Sequence, residues 1–129
     1  MRVVVDTSVW SLAFRRKEKN EITKKLTDLI IDGLVVMIGP IRQELLSGIS
    51  DSTIFEKLKT TLSSYEDLEI SKEDFELAAE YFNLTRKHGI QGSHTDFLIC
   101  AVAIKNDLAI YTTDKDFLCY AKYLPIQLI

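Results

Sequence analysis

The chain has 129 residues, within the range of about 100–200 residues of one domain, so 1–129 is read as a single unit. Hydrophobic residues make up 47% and charged residues 27%; with five glycines and two prolines, this composition excludes disordered, collagen-like and linker-rich chains. Sixteen basic residues against nineteen acidic ones give a formal charge of −3, which excludes a simple cationic clamp for nucleic acid. Chemistry on a phosphate then needs a bound cation or a local basic patch.

In chain order, the three valines of Arg2–Val5 predict a strand buried on both faces, and Asp6 follows directly. Val9–Phe14 predicts a short helix entered through Thr7 or Ser8. The polar stretch Arg15–Asn20 reads as exposed. Glu21–Asp32 carries Ile22, Leu26, Leu29 and Ile30 at helical spacing and stops at Gly33. Val35–Ile38 predicts a second buried strand, broken by Gly39 and by Pro40, which suits the first turn of a helix. That helix puts Ile41, Leu45 and Ile49 on one face. Thr53–Leu62 repeats the helical pattern, and Leu68–Ile70 predicts a short third strand.

Ser71 with Asp74 has the spacing of a capping box. The helix behind it is expected to bury Phe75, Ala78, Ala79 and Phe82 and to end at Gly89 and Gly92. The next helix, starting near Asp96 behind Ser93 or His94, is apolar nearly all round and predicts the most deeply packed element. Ala109–Tyr111 is a further strand, Phe117–Tyr123 a last short helix, and Ile126–Leu128 a last strand. Strands alternating with helices imply βαβ units and a mainly parallel sheet of four or five strands, covered on both faces. Right-handed crossovers leave a crevice at the carboxyl ends of such strands.

Cys100 sits inside the apolar run FLICAVAI, where a thiol packs as a small core residue. With Cys119 the only other cysteine, a disulfide framework is not expected, and a reducing cytoplasm is the expected compartment. MRVVVD meets an acid before an apolar stretch forms, so no signal peptide is expected. FLICAVAI is far shorter than the ~20 apolar residues of a membrane span, so no membrane is expected as a partner. The sequence has no Gly-rich phosphate loop, no Cys/His zinc spacing and no GxSxG elbow. His88 and His94 have no triad setting.

Carboxylates remain. Asp6 and Asp114 each follow a predicted strand. Asp96 opens the apolar helix, and Glu44 lies in the helix after the second strand. In a parallel sheet these positions share one edge. Acids gathered there repel one another unless a hard cation joins them, and Mg2+ takes oxygen ligands together with substrate phosphate. Each acid alone also suits a plainer role: Asp6 as a turn residue or helix N-cap, Asp96 as a cap, Asp114 as a turn acid, Asp116 as an exposed first-turn residue, Glu44 as a solvated helix residue.

MRVVVDTSVW resembles the opening of a PIN-domain ribonuclease, an apolar strand ending in Asp and a small hydroxyl residue. GPIRQELLSG resembles the second motif of that family, and TDFLICAVAIKNDLAIYTTDKDF resembles its third and fourth. The resemblance spans almost the whole chain, and its length and ending are similar to VapC-type toxins of toxin–antitoxin pairs. It implies a three-layer α/β/α domain with strand order 3-2-1-4-5. It implies Asp6, Glu44, Asp96 and Asp114 as catalytic residues, with Asp6, Asp96 and Asp114 as metal ligands. Glu44 would reach the metal through water, and Asp116 would add a second position. Ser8 and Thr113 would orient carboxylates or water. The implied reaction is Mg2+-dependent hydrolysis of an RNA phosphodiester, with Mn2+ able to substitute, leaving 3′-hydroxyl and 5′-phosphate ends. A VapB-type antitoxin and a homodimer are implied as partners.

The basic stretch Arg15, Arg16, Lys17 and Lys19 reads either as a solvated loop or as a contact to RNA phosphates, to which Arg42, Arg86 and Lys87 would add. Trp10 suits a packing anchor better than a base-stacking platform. Phe14, Leu45 and Leu46 read first as core and second as the border of a groove for a partner helix. Two rival functions fit the same elements. A receiver-like phosphoryl-transfer domain needs an acceptor Asp after a central strand, where Gly39 and Pro40 stand instead. A PIN-like binding module without catalysis would be expected to have lost one of the four acids.

Overall fold

Three valines form β1 (Val3–Val5), buried on both faces. The computed structural model describes residues 1–129. From β1 the chain turns straight into α1 (Thr7–Phe14) and then α2 (Glu21–Ile31). Asn20 caps α2: its side chain accepts from the N–H groups of Ile22 and Thr23 at 3.0 and 3.1 Å. Gly33, at φ +70°, makes the left-handed turn that ends it. Next come β2 (Val35–Val36), α3 (Gly39–Leu46) with Pro40 in its first turn, and α4 (Ser52–Leu62). α5 (Lys72–Lys87) and α6 (His94–Lys105) pack on each other, and β3 (Ala109–Tyr111), α7 (Asp116–Tyr120) and β4 (Gln127–Leu128) complete the chain.

The sheet is wholly parallel, in the order β2-β1-β3-β4. Val3 and Val4 pair with Val35 and Val36 on one side, and Val3, Val4 and Val5 with Ala109, Ile110 and Tyr111 on the other. This is the expected α/β layering with a four-stranded sheet. The predicted strand Leu68–Ile70 does not form. A single parallel bridge, Met37 to Asp67, stands in its place beside β2. There the ladder is replaced by a side-chain clamp. Arg42 binds Asp67 Oδ1 at 2.7 Å and donates to the carbonyls of Leu62 and Tyr65 at 2.9 and 2.7 Å. Arg42 is therefore committed to this loop and does not extend the basic stretch. Arg86 lies over the Phe82 ring, 4.7 Å from its centroid.

The core is one cluster around the sheet, and α6 contributes seven consecutive buried residues, Phe97–Ala103. An all-round apolar helix between the sheet and α5 explains that run. Trp10 is fully buried, with its indole N–H donating to the Val5 carbonyl at 3.0 Å, so it anchors packing and offers no face to a base. Leu45 is core, Leu46 half-buried. α3 stops at Leu46, before Ile49, with Gly48 at φ +85° beyond it. On α5 the predicted stripe is rotated: Ala78 is buried, Phe82 is half-buried, and Phe75 and Ala79 are exposed. Asp74 and Thr85 take the buried places. No helix is long and apolar enough to cross a membrane.

Candidate active site

The first acid is placed by the sheet. The Asp6 N–H donates to the Tyr111 carbonyl at 2.9 Å, extending the β1–β3 ladder by one residue. Asp6 then stands at the N-cap position of α1, yet its side chain caps nothing. Only 6% exposed, its carboxylate is held instead by two hydroxyls. Ser8 Oγ and Thr112 Oγ1 each donate to Oδ2 at 2.8 Å. Ser8 Oγ in turn accepts the Thr113 N–H at 3.0 Å. Ser8 thus bonds the Asp6 carboxylate directly. The hydroxyl that reaches Asp6 from the β3 end is that of Thr112, and Thr113 takes part through its main chain.

Asp96 lies in the first turn of α6, where the helix dipole favours an anion. The cap is Ser93, whose Oγ accepts the Asp96 N–H at 3.0 Å, so the carboxylate is free of capping duty. Its Oδ2 accepts a 2.6 Å hydrogen bond from the Tyr120 hydroxyl. Burial pushes the Asp96 carboxyl above its ordinary range, and the charges of Asp6 and Asp114 push the same way. The hydrogen bonds from Tyr120 and Ser93 pull it back.

Asp114 follows β3 by three residues. Its N–H donates to Thr112 Oγ1 at 3.0 Å, and its Oδ1 accepts the Asp116 N–H at 2.9 Å. That local turn brings Asp114 and Asp116 together. Asp96, Asp114 and Asp116 each place a carboxylate oxygen within 4.8 Å of the others. Glu44 is exposed on α3 and stands apart from this group. Thr7 Oγ1 donates to its Oε1 at 2.9 Å, and the two share a hollow of about 460 Å³ with Pro40, Gln43, Ser47 and Thr95. Thr95 is the neighbour of Asp96, so the hollow adjoins the acidic edge.

None of Asp6, Glu44, Asp96, Asp114 and Asp116 is in an ion pair with a basic side chain. The converging group Asp96, Asp114 and Asp116 is an all-oxygen, uncompensated donor set, which fits a hard divalent cation; Asp6 and Glu44 lie outside it. Thr112 and Tyr120 are the site residues that the sequence did not yield. Thr112 lies two residues before Asp114, the period that puts extended residues on one face, which was a usable signal. For Tyr120, among five tyrosines, no local pattern marked it.

The basic stretch Arg15, Arg16, Lys17 and Lys19 is exposed beyond the far end of α1. Arg15 and Lys17, with Lys57 and Thr61, border a groove of about 500 Å³ floored by Phe14, Ile49, Ile54 and Leu58.

The family model for the PIN domain matches residues 3–123. Among solved structures, the chain is similar to FitAcB from Neisseria gonorrhoeae at 19% identity and TM-score 0.77, over 98% of this chain and 96% of that one. It is similar to VapBC2 from Rickettsia felis, solved bound to a DNA fragment from their promoter, at 19% identity and TM-score 0.80, over 100% and 98% of the chains. FitAB bound to an IR36 DNA fragment is similar at 17% identity and TM-score 0.77, over 98% and 93%. At such identities the likeness shows the fold. Comparison with curated proteins finds no match.

Proposed function

Because the chain belongs to the PIN domain family, its match running over residues 3–123, we propose that it is an Mg2+-dependent endoribonuclease, the toxin of a toxin–antitoxin pair. The observation that carries this reading is the meeting of Asp96, Asp114 and Asp116 without a basic partner, with Asp6 outside that group but near enough for its charge to act on Asp96. Family membership sets the receiver-like alternative aside.

Asp96, Asp114 and Asp116 would hold the cation, with Asp6 adding negative charge beside Asp96. When bound, Mg2+ or Mn2+ supplies the positive charge that draws a phosphate oxygen to the acids and makes water a better nucleophile. Ser8 and Thr112 keep the Asp6 carboxylate from turning. Glu44, fixed by Thr7 and open to the adjoining hollow, would orient water entering from that side. The water oxygen bonds to phosphorus and the P–O bond to the 3′ oxygen breaks. A proton taken from the water balances the 3′-hydroxyl that leaves.

The partner reading has separate supports. The groove beside Phe14 has an apolar floor and a cationic rim, which suits an acidic amphipathic segment such as an antitoxin would present. Arg16 and Lys19, outside the groove lining, remain for RNA phosphates. Both cysteines are free, which accords with a cytoplasmic setting.

The test is cleavage of total RNA by the purified chain with Mg2+ or Mn2+, with EDTA, and as Asp6→Asn and Asp96→Asn. Metal-dependent cleavage that falls at least about 100-fold in either folded variant, the scale of one lost electrostatic contact to a transition state, is the expected outcome. Cleavage that persists in EDTA, or in both variants, overturns the acidic site. Absence of cleavage by the folded, partner-free protein favours the PIN-like binding module.

A further inference from the structure

Tyr120 is fully buried, yet its hydroxyl ends at a carboxylate of the acidic site. The 2.6 Å bond to Asp96 Oδ2 has the length of a charge-assisted O–H···O⁻ contact. An ordinary phenol, with a pKa of about 10, is protonated at neutral pH and is the donor in this bond. Its ring is fixed from two sides, with Phe97 at 4.8 Å and Phe117 at 5.1 Å between centroids.

The loop before α6 is shaped to the same ring. A Cβ at Gly92 would lie 2.8 Å from both Tyr120 Cζ and Phe97 Cε2, and would meet the Tyr120 hydroxyl closer still. Gly92 has no positive φ, so space and not backbone freedom calls for glycine there. Three segments (the loop, α6 and α7) thus converge on one hydroxyl.

The electrostatics give that convergence a purpose. Asp6 and Asp114 repel the Asp96 carboxylate, and left alone it would swing toward solvent. The Tyr120 bond is made to Oδ2. We propose that Tyr120 is a positioning residue for Asp96: its hydroxyl pins Oδ2 so that Oδ1 stays directed at the cation site, and Gly92 is the seat that admits the ring. This rests on the reading of the acids as a divalent-cation site. Partners that orient a metal ligand typically change metal affinity about 10–100-fold when removed.

The experiment measures Mn2+ binding by titration calorimetry and Mn2+ paramagnetic resonance on the full chain, as wild type, Tyr120→Phe and Gly92→Ala. Circular dichroism checks that each is folded. Tyr120→Phe keeps the ring and loses only the hydroxyl. The expected result is wild-type binding and an affinity about 10-fold lower in Tyr120→Phe, with the same drop in Gly92→Ala if that variant folds. Cleavage by Tyr120→Phe should then fall in kcat at limiting Mn2+, with KM for RNA unchanged, and recover at high Mn2+. A merely structural hydroxyl would not show that rescue. Equal Mn2+ affinity in wild type and folded Tyr120→Phe overturns the positioning role while leaving the metal site standing. A wild type that binds no Mn2+ overturns the metal reading itself and this inference with it.

Discussion

A carboxylate drawn partly out of water beside two others works against its own electrostatics. Asp96 is that group, its carboxyl raised first by burial and then by Asp6 and Asp114. A folded-state value above the unfolded one means that the ionised form costs stability at neutral pH. The cost disappears as pH falls through the raised value. Asp96→Asn keeps an acceptor for Tyr120 and removes the charge. In EDTA at pH 7 it is expected to be more stable than wild type by on the order of 1 kcal/mol, as functional sites relieved of strain commonly are. Urea unfolding across pH would show the gain shrinking toward about pH 4, the ordinary carboxylate range. A variant equal to or weaker than wild type at pH 7 would mean that Asp96 carries no such penalty. At this scale the sequence showed the acids, because an Asp after a run of β-branched residues is local. It did not show which hydroxyl serves which acid. Thr112 and Thr113 are equal in composition, and only the pleat, carried past Tyr111, turns one inward.

Helix α5 shows what pattern reading catches and what it loses. The Ser71–Asp74 signal is local and is there: the Ser71 N–H donates to Asp74 Oδ2 at 2.8 Å. The buried stripe was expected one position over because Asp74 and Thr85 are polar. Thr85 is made burial-compatible by its own helix, and Asp74 by a partner that no local window contains. Thr85 Oγ1 donates to the Tyr81 carbonyl at 2.9 Å. Lys105, from the far end of α6, lies 3.3 Å from Asp74 Oδ1 and donates to Ser71 Oγ at 2.9 Å. Burial would raise the Asp74 carboxyl, but the Ser71 N–H, Lys105 and the Ser71 hydroxyl outweigh it and hold it low. A depressed folded value gives stability that is present above the unfolded pKa of about 4 and lost as pH falls through the lower folded one. Lys105→Met removes one support of a buried carboxylate. Since the Lys105 side chain is 43% exposed, the loss is expected to be about 1–2 kcal/mol, below the range for fully buried pairs. Melts from pH 7 downward should show the variant less stable at neutral pH, with the gap to wild type closing below about pH 4 as Asp74 is protonated. Coincident melts would mean that the α5–α6 contact does not depend on the pair. The missing third strand has the same kind of cause: Arg42 satisfies the loop at Asp67 with side-chain bonds, so no ladder is needed.

Across the whole molecule, charge and apolar surface are unevenly placed. The acids gather at one sheet edge, while Arg15, Arg16, Lys17 and Lys19 lie beyond an eight-residue helix, about 12 Å along its axis. In a chain of net charge −3, cations so displaced leave the acidic edge without a neighbouring positive side chain. The apolar imbalance is on α5. Phe75 is 55% exposed and, with Ala78, Ala79, Leu98 and Pro40, borders a hollow of about 420 Å³ that also includes Thr95, next to Asp96. An aromatic residue left in water by its own chain, on a helix that spends its buried face on α6, is expected to be covered by a second copy of the same face. A two-fold pair makes any such patch self-complementary. Light scattering during size exclusion should give twice the mass of one chain for wild type and a single chain for Phe75→Glu. Because Phe75 is surface-placed, the substitution should shift monomer stability by no more than about 0.5 kcal/mol, which separates lost association from lost folding. A wild type that runs as one chain at all concentrations would exclude the homodimer. A folded Phe75→Glu that still pairs would move the interface away from α5.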